Sequence, residues 1–552
     1  MSEQELKLHV PTASRQAVLR EVKQREATRL RLHAMYFDTP ERELARARIA
    51  IRLRQEGPDW VQTLKMPGAD AISRIEMNHP RPGPVLDLSV YAGTEVEGPL
   101  SAIKGELGLR YETDVQRLLR KIRTRHGTVE LAYDTGILRA GALELPISEL
   151  EFELVSGRPA AIFAAARGWQ QRHALILDPR SKSERGDALA QLAQRLAEVD
   201  AAAGDDHEAR RAQAIAQFWA PRGAAAVKLR NDMTPSQAMG AIAAECLDQI
   251  CRNAAVLAEV DTEGVYRAGN SEHVHQLRVG VRRLRSAWKL FDGWIAPVPG
   301  SLLQGVRTHF AAFGANRDQD VLNETVAPAL LRAGMPVIPM EAAPPEADAQ
   351  TIAGGQPFQA WLLELLEWSL DVPAVQPEAD GQTIANGTPS DAAPEPAIRL
   401  EGGVAGPVVK PTIIPMLTPE PQPQRLHKLL ARRLHRWHGK VADQGTHFAS
   451  LDIPTRHELR KRGKRLRYGL SFAESLLPAC KLRGYRKLLS RVQDVLGEIN
   501  DLAMAKDYYQ SCTASHPQAW FALGWISARL DELVIEAQQA FDDLARSKPF
   551  WK

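Results

Sequence analysis

Glu3, Glu5 and Lys7 occupy alternate positions near the start of the chain. On a β-strand successive side chains point to opposite faces, so these three share one face. The spacing recurs downstream: Arg52 with Arg54, Arg74 with Glu76 and Asn78, Glu130 with Asp134, and Glu149 with Glu151 and Glu153. Between them stand apolar residues such as Leu6, Leu8, Leu53, Leu64, Leu150, Phe152 and Leu154, which need a core of their own. On one strand, such charge is most simply the solvated side of an amphipathic sheet. Repeated over five or six strands, it fits a closed sheet with an apolar outer shell packed on helices and a charged lumen. Buried charges are costly unless they are paired or bind ions. A mixed lining suits phosphate chemistry: cations hold a phosphate chain, and carboxylates hold the Mg²⁺ or Mn²⁺ that accompanies it.

A second constellation lies in the other half of the chain. On a helix, His275, Arg278, Arg282 and Arg285 fall within an arc of about 80°, opposite Leu277, Leu284 and Trp288. His457, Arg460, Lys464 and Arg467 fall the same way, opposed by Leu459, Leu466 and Leu470. The segments are copies at an offset of 182 residues, and each is followed by a second matching element, Phe313-Gly314 with Asp318 and Leu496-Gly497 with Asp501. Two elements at nearly one offset indicate a duplicated helical unit. One basic stripe is usually a solvated helix face. Two of them, with Arg432, Arg433 and Arg436 nearby and seven Lys or Arg among residues 456–467, mainly add repulsion unless a polyanion is bound. The stripes lack the interleaved aromatics of a base-stacking surface, which argues against nucleic acid.

These residues need strands in one half and helices in the other. Alternating runs at 3–10, 49–54, 60–65, 73–78, 129–134 and 147–155, separated by Gly and Pro clusters, predict an antiparallel barrel, with one helix at about 14–30. From residue 188 the pattern is helical and rich in Ala, Leu and Arg, and it resumes at 425–545. Residues 334–424 hold sixteen of the 36 prolines and read as a largely disordered insert joining two helical halves, apart from a short helix at 358–370. The expected organisation is a tunnel domain at 1–195, a helical linker at 196–224 and a helical domain at 225–545. A chain of 552 residues with net charge +3 is too long for one core and too weakly basic for bulk charge to name a partner. Four cysteines without a Cys-x-x-Cys pair, a charged N-terminal segment and no long apolar run point to a reducing cytoplasm and no membrane.

The first half resembles the CYTH, or triphosphate tunnel metalloenzyme, family. Its signature Glu-x-Glu-x-Lys is followed in the family's order by Tyr36-Phe-Asp-Thr-Pro40, Arg52-x-Arg54, Thr63-x-Lys65, Arg74-x-Glu76, Asp134-x-Gly136, Glu149-x-Glu151-x-Glu153 and Ser181-Lys182. The resemblance implies an eight-stranded antiparallel tunnel and metal-dependent chemistry on triphosphates. It implies that Lys7, Arg52, Arg54, Lys65, Arg74 and Lys182 cradle phosphates. Glu3, Glu5, Glu149, Glu151 and Glu153 would hold metal and position water, with Glu3, Glu5 and Lys7 as the catalytic set. Arg117 is the basic residue expected on the next strand, with Lys121 and Arg123 as alternatives, because Val115 stands where the family often has Lys. Asp134 and Arg185 are secondary candidates. The second half resembles the CHAD domain, whose fold is two related four-helix units. That family is associated with inorganic polyphosphate, here through His275, Arg278, Arg282, Arg285, His457, Arg460, Lys464 and Arg467. The histidines could bind phosphate oxygens or pack beneath the stripes. The pairing resembles bacterial inorganic triphosphatases. The expected reaction is hydrolysis of inorganic triphosphate, with polyphosphate, including granules, as a partner. The alternatives are a non-catalytic polyphosphate-binding protein, an adenylate cyclase and a thiamine triphosphatase.

Overall fold

The structure is a computed structural model that describes residues 2–24, 26–202, 206–218, 220–260, 269–338, 348–374 and 425–551, with the backbone alone at 315–320. The first element, β1 (Ser2–His9), is followed by α1 (Arg15–Lys23), β2 (Thr28–Asp38), α2 (Glu43–Arg46), β3 (Ala50–Glu56), β4 (Asp59–Pro67), β5 (Ser73–Arg81) and α3 (Glu97–Ser101). Three long strands come next, β6 (Gly108–Thr124), β7 (Gly127–Ala140) and β8 (Leu143–Gly157), then α4 (Ala160–His173) and the two-residue β9 (Ile176–Leu177). Antiparallel neighbours run in the order β5, β4, β3, β2, β6, β7, β8, β1, and pairing of Glu3 with Arg74 joins β1 to β5 and closes an eight-stranded ring. β9 is an appendage on the far side of β1.

Alternation within the strands builds the two faces. Leu6, Leu8, Leu131, Leu150 and Phe152 point outward and are covered by Val18 and Val22 of α1 and by Ile162, Phe163 and Trp169 of α4. The charged residues point inward. The helix expected over 14–30 is half that length. From Leu30 the apolar residues Leu30, Leu32, Ala34 and Tyr36 alternate in twos, and pairing with both β3 and β6 makes this segment a strand.

The remaining helices are α5 (Lys182–Ala201), α6 (His207–Ala216), α7 (Pro235–Leu257), α8 (Ser271–Phe291), α9 (Gly300–Val321), α10 (Ala327–Arg332), α11 (Ala349–Gly354), α12 (Gln356–Leu370), α13 (Leu426–Gly445), α14 (Ile453–Phe472), α15 (Ala479–Cys512) and α16 (Ala519–Arg546). The segment expected as a helical linker is helical through the end of α5 and in α6, and it packs in part on the barrel. Leu189, Leu192 and Leu196 of α5, with Ala214 of α6, pack on Leu32, Tyr36, Tyr111, Val115 and Ile147. Tyr36 and Ile147 share the inward face with Arg52 and Glu149, so α5 fills one end of the tunnel with apolar side chains.

The Pro-rich stretch contains the short helix expected at 358–370, and the structure adds its packing. Within it, α12 packs against α7 and α9, and Phe358, Trp361, Leu362 and Leu365 are buried. This helix completes a first four-helix unit of α7, α8, α9 and α12, answered by α13, α14, α15 and α16. Its sequence is apolar on nearly all sides because several helices surround it. The expected disorder at 375–424 falls outside the described residues. One continuous core joins barrel to helices, and no helix among the described residues is long and apolar enough to cross a membrane. Trp361→Ala should therefore destabilise the protein by about 3–5 kcal/mol in chemical denaturation, as loss of a buried aromatic does. A change below about 1 kcal/mol would show that α12 is not part of the core.

Candidate functional site

Cross-strand register decides which charges meet in the tunnel. Lys7 lies opposite Glu151, Glu5 opposite Glu153, Arg117 opposite Asp134, and Asp134 opposite Glu149. Lys182, projected inward from the first turn of α5, completes the group. Its ammonium is 2.7 Å from both Asp134 and Glu151 and also pairs with Glu149. Arg117 forks onto Asp134 at 2.6 Å and reaches Glu151. Lys7 is 3.4 Å from Glu149 and donates to the carbonyl of Arg180, and Arg185 is 3.2 Å from Glu149. Burial would raise the Glu149 carboxyl, but Lys182, Lys7 and Arg185 outweigh it and hold the group down at about 2. Glu151 is held well below the usual range in the same way, with burial outweighed by Lys182 and Arg117. Burial disfavours the Lys182 charge, yet Asp134, Glu149 and Glu151 hold its ammonium well above the ordinary value.

The facing wall is built more loosely. Lys65 bridges Glu3, at 3.2 Å, and Glu76. Burial, then a hydrogen bond with Glu76, pushes the Glu3 carboxyl well above the usual carboxylate range. Arg74 is 3.9 Å from Glu5 and donates to the Ala71 and Ser73 carbonyls of its own turn. Arg52 donates to the Tyr36 hydroxyl at 3.2 Å, and its Nε is buried with no hydrogen-bond partner among the described residues. Arg54 donates to Glu56, and burial with the neighbouring Arg52 lowers its pKa. Two guanidiniums side by side, with Glu56 paired to Arg54 and Glu76 acting on Arg52, form a part of the tunnel suited to an anion. Burial raises Glu153, which faces Glu130 and Glu5.

All the expected tunnel residues thus line one lumen. The register selects Arg117, since Lys121 and Arg123 are exposed. Asp134 and Arg185 prove central, and the buried Asp178–Arg180 pair beneath Lys7 had no sequence signal. In the Tyr-Phe-Asp-Thr-Pro motif, Asp38 has a structural task, accepting hydrogen bonds from the Thr39, Leu44 and Ala45 amides. Oxygens of Asp134, Glu149 and Glu151 lie within 4.8 Å of one another. An all-oxygen anionic set suits a hard divalent cation, and the Lys182 ammonium among these groups shows that the nest accepts positive charge.

In the helical domain the two repeated basic helices lie against each other. Arg282 of α8 meets Arg460, Lys464 and Arg467 of α14, and burial together with Arg460, Arg282 and Arg467 pushes Lys464 down to about 7. Arg278 donates to the Phe313 carbonyl at 2.7 Å, and its repeat counterpart Arg460 donates to the Leu496 carbonyl at 3.1 Å. Each carbonyl precedes the repeated glycine, and a Cβ at Gly314 would stand 3.2 Å from the Arg278 guanidinium. Arg285 is exposed beside Arg307 and Arg465, two cations the sequence did not single out. His457 is exposed and His275 half-buried, so the first does not pack beneath its stripe. The Asp318 side chain falls outside the described residues. The stripes do have aromatic neighbours. Phe310 of α9 lies under Arg278 and Arg282, and Tyr468 under Arg467, but these rings support guanidiniums from below and Tyr468 is buried.

Lys182→Ala would leave three buried carboxylates without their shared cation. Removing one partner of such a group typically costs about 3–5 kcal/mol. The melting temperature in EDTA should fall, and millimolar Mg²⁺ or Mn²⁺ should restore part of the loss. An unchanged melting temperature in EDTA would show that Lys182 does not neutralise the nest.

Comparison with known proteins agrees with this division. A CYTH domain model matches residues 1–186 and a CHAD domain model matches residues 241–510. The inorganic triphosphatase of Haemophilus influenzae is 29% identical over 160 residues, which is 28% of this chain and 44% of that protein, so the match spans less than half of the relative's length. A solved CHAD domain from the plant Ricinus communis is 24% identical, covers 60% of this chain and 98% of that one, and superposes with a TM-score of 0.38. The chain carries a CYTH domain at residues 1–186 and a CHAD domain at residues 241–510.

Proposed function

We propose that the tunnel hydrolyses inorganic triphosphate to diphosphate and phosphate with the help of Mg²⁺ or Mn²⁺, and that the basic face of the helical domain binds polyphosphate. The observation that carries this reading is a single lumen lined by seven cations (Lys7, Arg52, Arg54, Lys65, Arg74, Arg117 and Lys182) and by the carboxylates Glu3, Glu5, Glu149, Glu151 and Glu153. Arg52 would take phosphoryl oxygens first, because its buried Nε has no hydrogen-bond partner among the described residues, and Arg54 would join it as Glu56 yields. Lys65, Arg117 and Lys182 would follow as the chain displaces carboxylates from them. The displaced carboxylates would hold a divalent cation, which supplies charge neutralisation and acidifies water when bound. Glu5 would accept the proton of water attacking the terminal phosphorus in line, as the bond to the bridging oxygen breaks and diphosphate leaves. Lys7, beside Glu149, would stabilise charge developing on the phosphoryl oxygens.

The tunnel's aromatic rings favour the inorganic substrate over a nucleotide. Tyr36 and Tyr111 stack on each other at 4.6 Å and are 5% and 7% exposed, so neither presents an open face to a base. A reducing cytoplasm suits the four free cysteines.

Phosphate release from tripolyphosphate, ATP, thiamine triphosphate and long-chain polyphosphate tests the enzymatic half. Tripolyphosphate should give the highest kcat/KM, and EDTA should abolish turnover. Glu5→Gln should lower kcat by a factor of roughly 10² or more. Equal or better use of ATP, or near-normal turnover by Glu5→Gln, would overturn the assignment.

The pKa of Lys464 tests the other half. Free Lys464 is cationic below about 7 and neutral above it. A polyanion favours the cation, so binding takes up a proton above that pH. Affinity for long-chain polyphosphate at constant salt should fall as pH rises, with a limiting slope of about tenfold per pH unit. Lys464→Met should weaken binding at low pH and flatten the profile. An unchanged profile would remove Lys464 from the site.

A further inference from the structure

The first turn of α5 faces two ways. Residues on a helix advance 100° each, so Lys182 and Arg185 share one side and Glu184 points to the other. Lys182 and Arg185 reach into the tunnel's carboxylates, whereas Glu184 reaches into the helical domain. There Arg252 of α7 forks onto both Glu184 oxygens, with Nη2 3.0 Å from Oε2. Arg252 is itself fixed on its own helix, its Nε donating to Asp248 at 2.6 Å. A second clamp acts a few residues upstream, where the Leu177 amide donates to Gln359 of α12 at 2.8 Å. Between the clamps runs the segment that supplies the tunnel with the Arg180 carbonyl, which accepts from Lys7, and with Lys182. The barrel's own hold on this turn includes a hydrogen bond from the Tyr111 hydroxyl to the Ser183 carbonyl and close packing of Gly186 on the Tyr111 ring.

We infer that Arg252, through Glu184, is a positioning residue for the tunnel, so that the helical domain sets where Lys182 and Arg185 stand among the carboxylates. The inference rests on the reading of the tunnel as a triphosphate site. Lys182 serves three carboxylates at once, and such a constellation tolerates displacements of only about 0.5 Å. An anchor on the opposite side of the same helical turn controls displacements of that size. The helical domain therefore does more than gather polyphosphate, because one of its helices forms part of the tunnel's supporting wall.

The test uses the full-length chain and Mn²⁺ with imidotriphosphate, a triphosphate analogue whose P–N–P bridges resist hydrolysis. Arg252→Ala should weaken its binding roughly fivefold or more, in the range typical of coupled sites, while polyphosphate binding by the helical domain and the melting temperature change little. If Arg252→Ala disturbs folding, Glu184→Gln keeps the side-chain shape, breaks the fork and should show the same loss. The charge exchange Arg252→Glu with Glu184→Arg, combined with Asp248→Asn because Asp248 would repel the new carboxylate, should recover most of the affinity, which a general packing defect would not. Unchanged affinity in the single variants, or an exchange variant as weak as Arg252→Ala, would overturn the inference. A wild-type chain that binds no imidotriphosphate would refute the tunnel reading itself, and this inference with it.

Discussion

Charge buried in the barrel must be neutralised, and much of the structure follows from that demand. A sheet closed on itself has one face turned away from bulk water, and here that face carries Lys, Arg, Glu and Asp in numbers an apolar interior never holds. Unpaired, each would cost several kcal/mol. The chain meets the demand by register. Antiparallel pairing sets Lys7 against Glu151 and Arg117 against Asp134, and α5 inserts Lys182 where three carboxylates converge. The interior is thus an internal salt that a phosphate chain and a divalent cation could replace pair for pair, anion for carboxylate and metal for ammonium.

The same demand explains why the barrel is not free-standing. Its outer shell is apolar because the inside is charged, so its hydrophobic core lies between the sheet and the helices around it. α1 and α4 cover that shell, α4 docks on α12, and one core runs through both domains. In the helical domain the opposite rule holds. Its interior is mostly apolar, with Arg283 buried against Glu245 and Gln249, and its other cations gather where α8 and α14 meet. Arg278 and Arg460 are tied to carbonyls of α9 and α15, and the Asp501 carboxylate offsets the cations around Lys464 only in part, whereas Asp134, Glu149 and Glu151 hold Lys182 fully charged. Cations in the tunnel are interleaved with carboxylates and those of the basic face mostly adjoin one another, which suits a site that exchanges ions and a site that collects a polyanion.

Much of this was legible in the chain. Period-two spacing exposed one charged face at Glu3, Arg52, Arg74 and Glu149, and its recurrence over five or six strands, each alternating with apolar residues, favoured a lumen over a solvated side. The repeat exposed α8 and α14. What stayed hidden depended on contacts between distant segments. The short apolar helix at 358–370 was legible, but its place as a fourth core helix was not, since its partners include residues as far away as Arg167 and Gly240. The choice of Arg117 over Lys121 needed the register of β6 on β7. The central place of Asp134 and the pairing of Asp178 with Arg180 needed the fold itself. Aromatic support of the guanidiniums was missed because Phe310 comes from a neighbouring helix, where no spacing within the stripe could show it.

The central claim is that phosphate chain and metal together replace an internal salt, so that neither alone is a good substitute. Binding of imidotriphosphate to the full-length chain, measured by calorimetry with saturating Mg²⁺ and again in EDTA, tests it most directly. Without metal, the phosphate chain would release Glu149, Glu151 and Asp134 from their cations and leave them facing one another. The account predicts affinity at least about tenfold weaker in EDTA, a coupling of the ordinary size between linked sites. Equal affinity with and without the cation would contradict it.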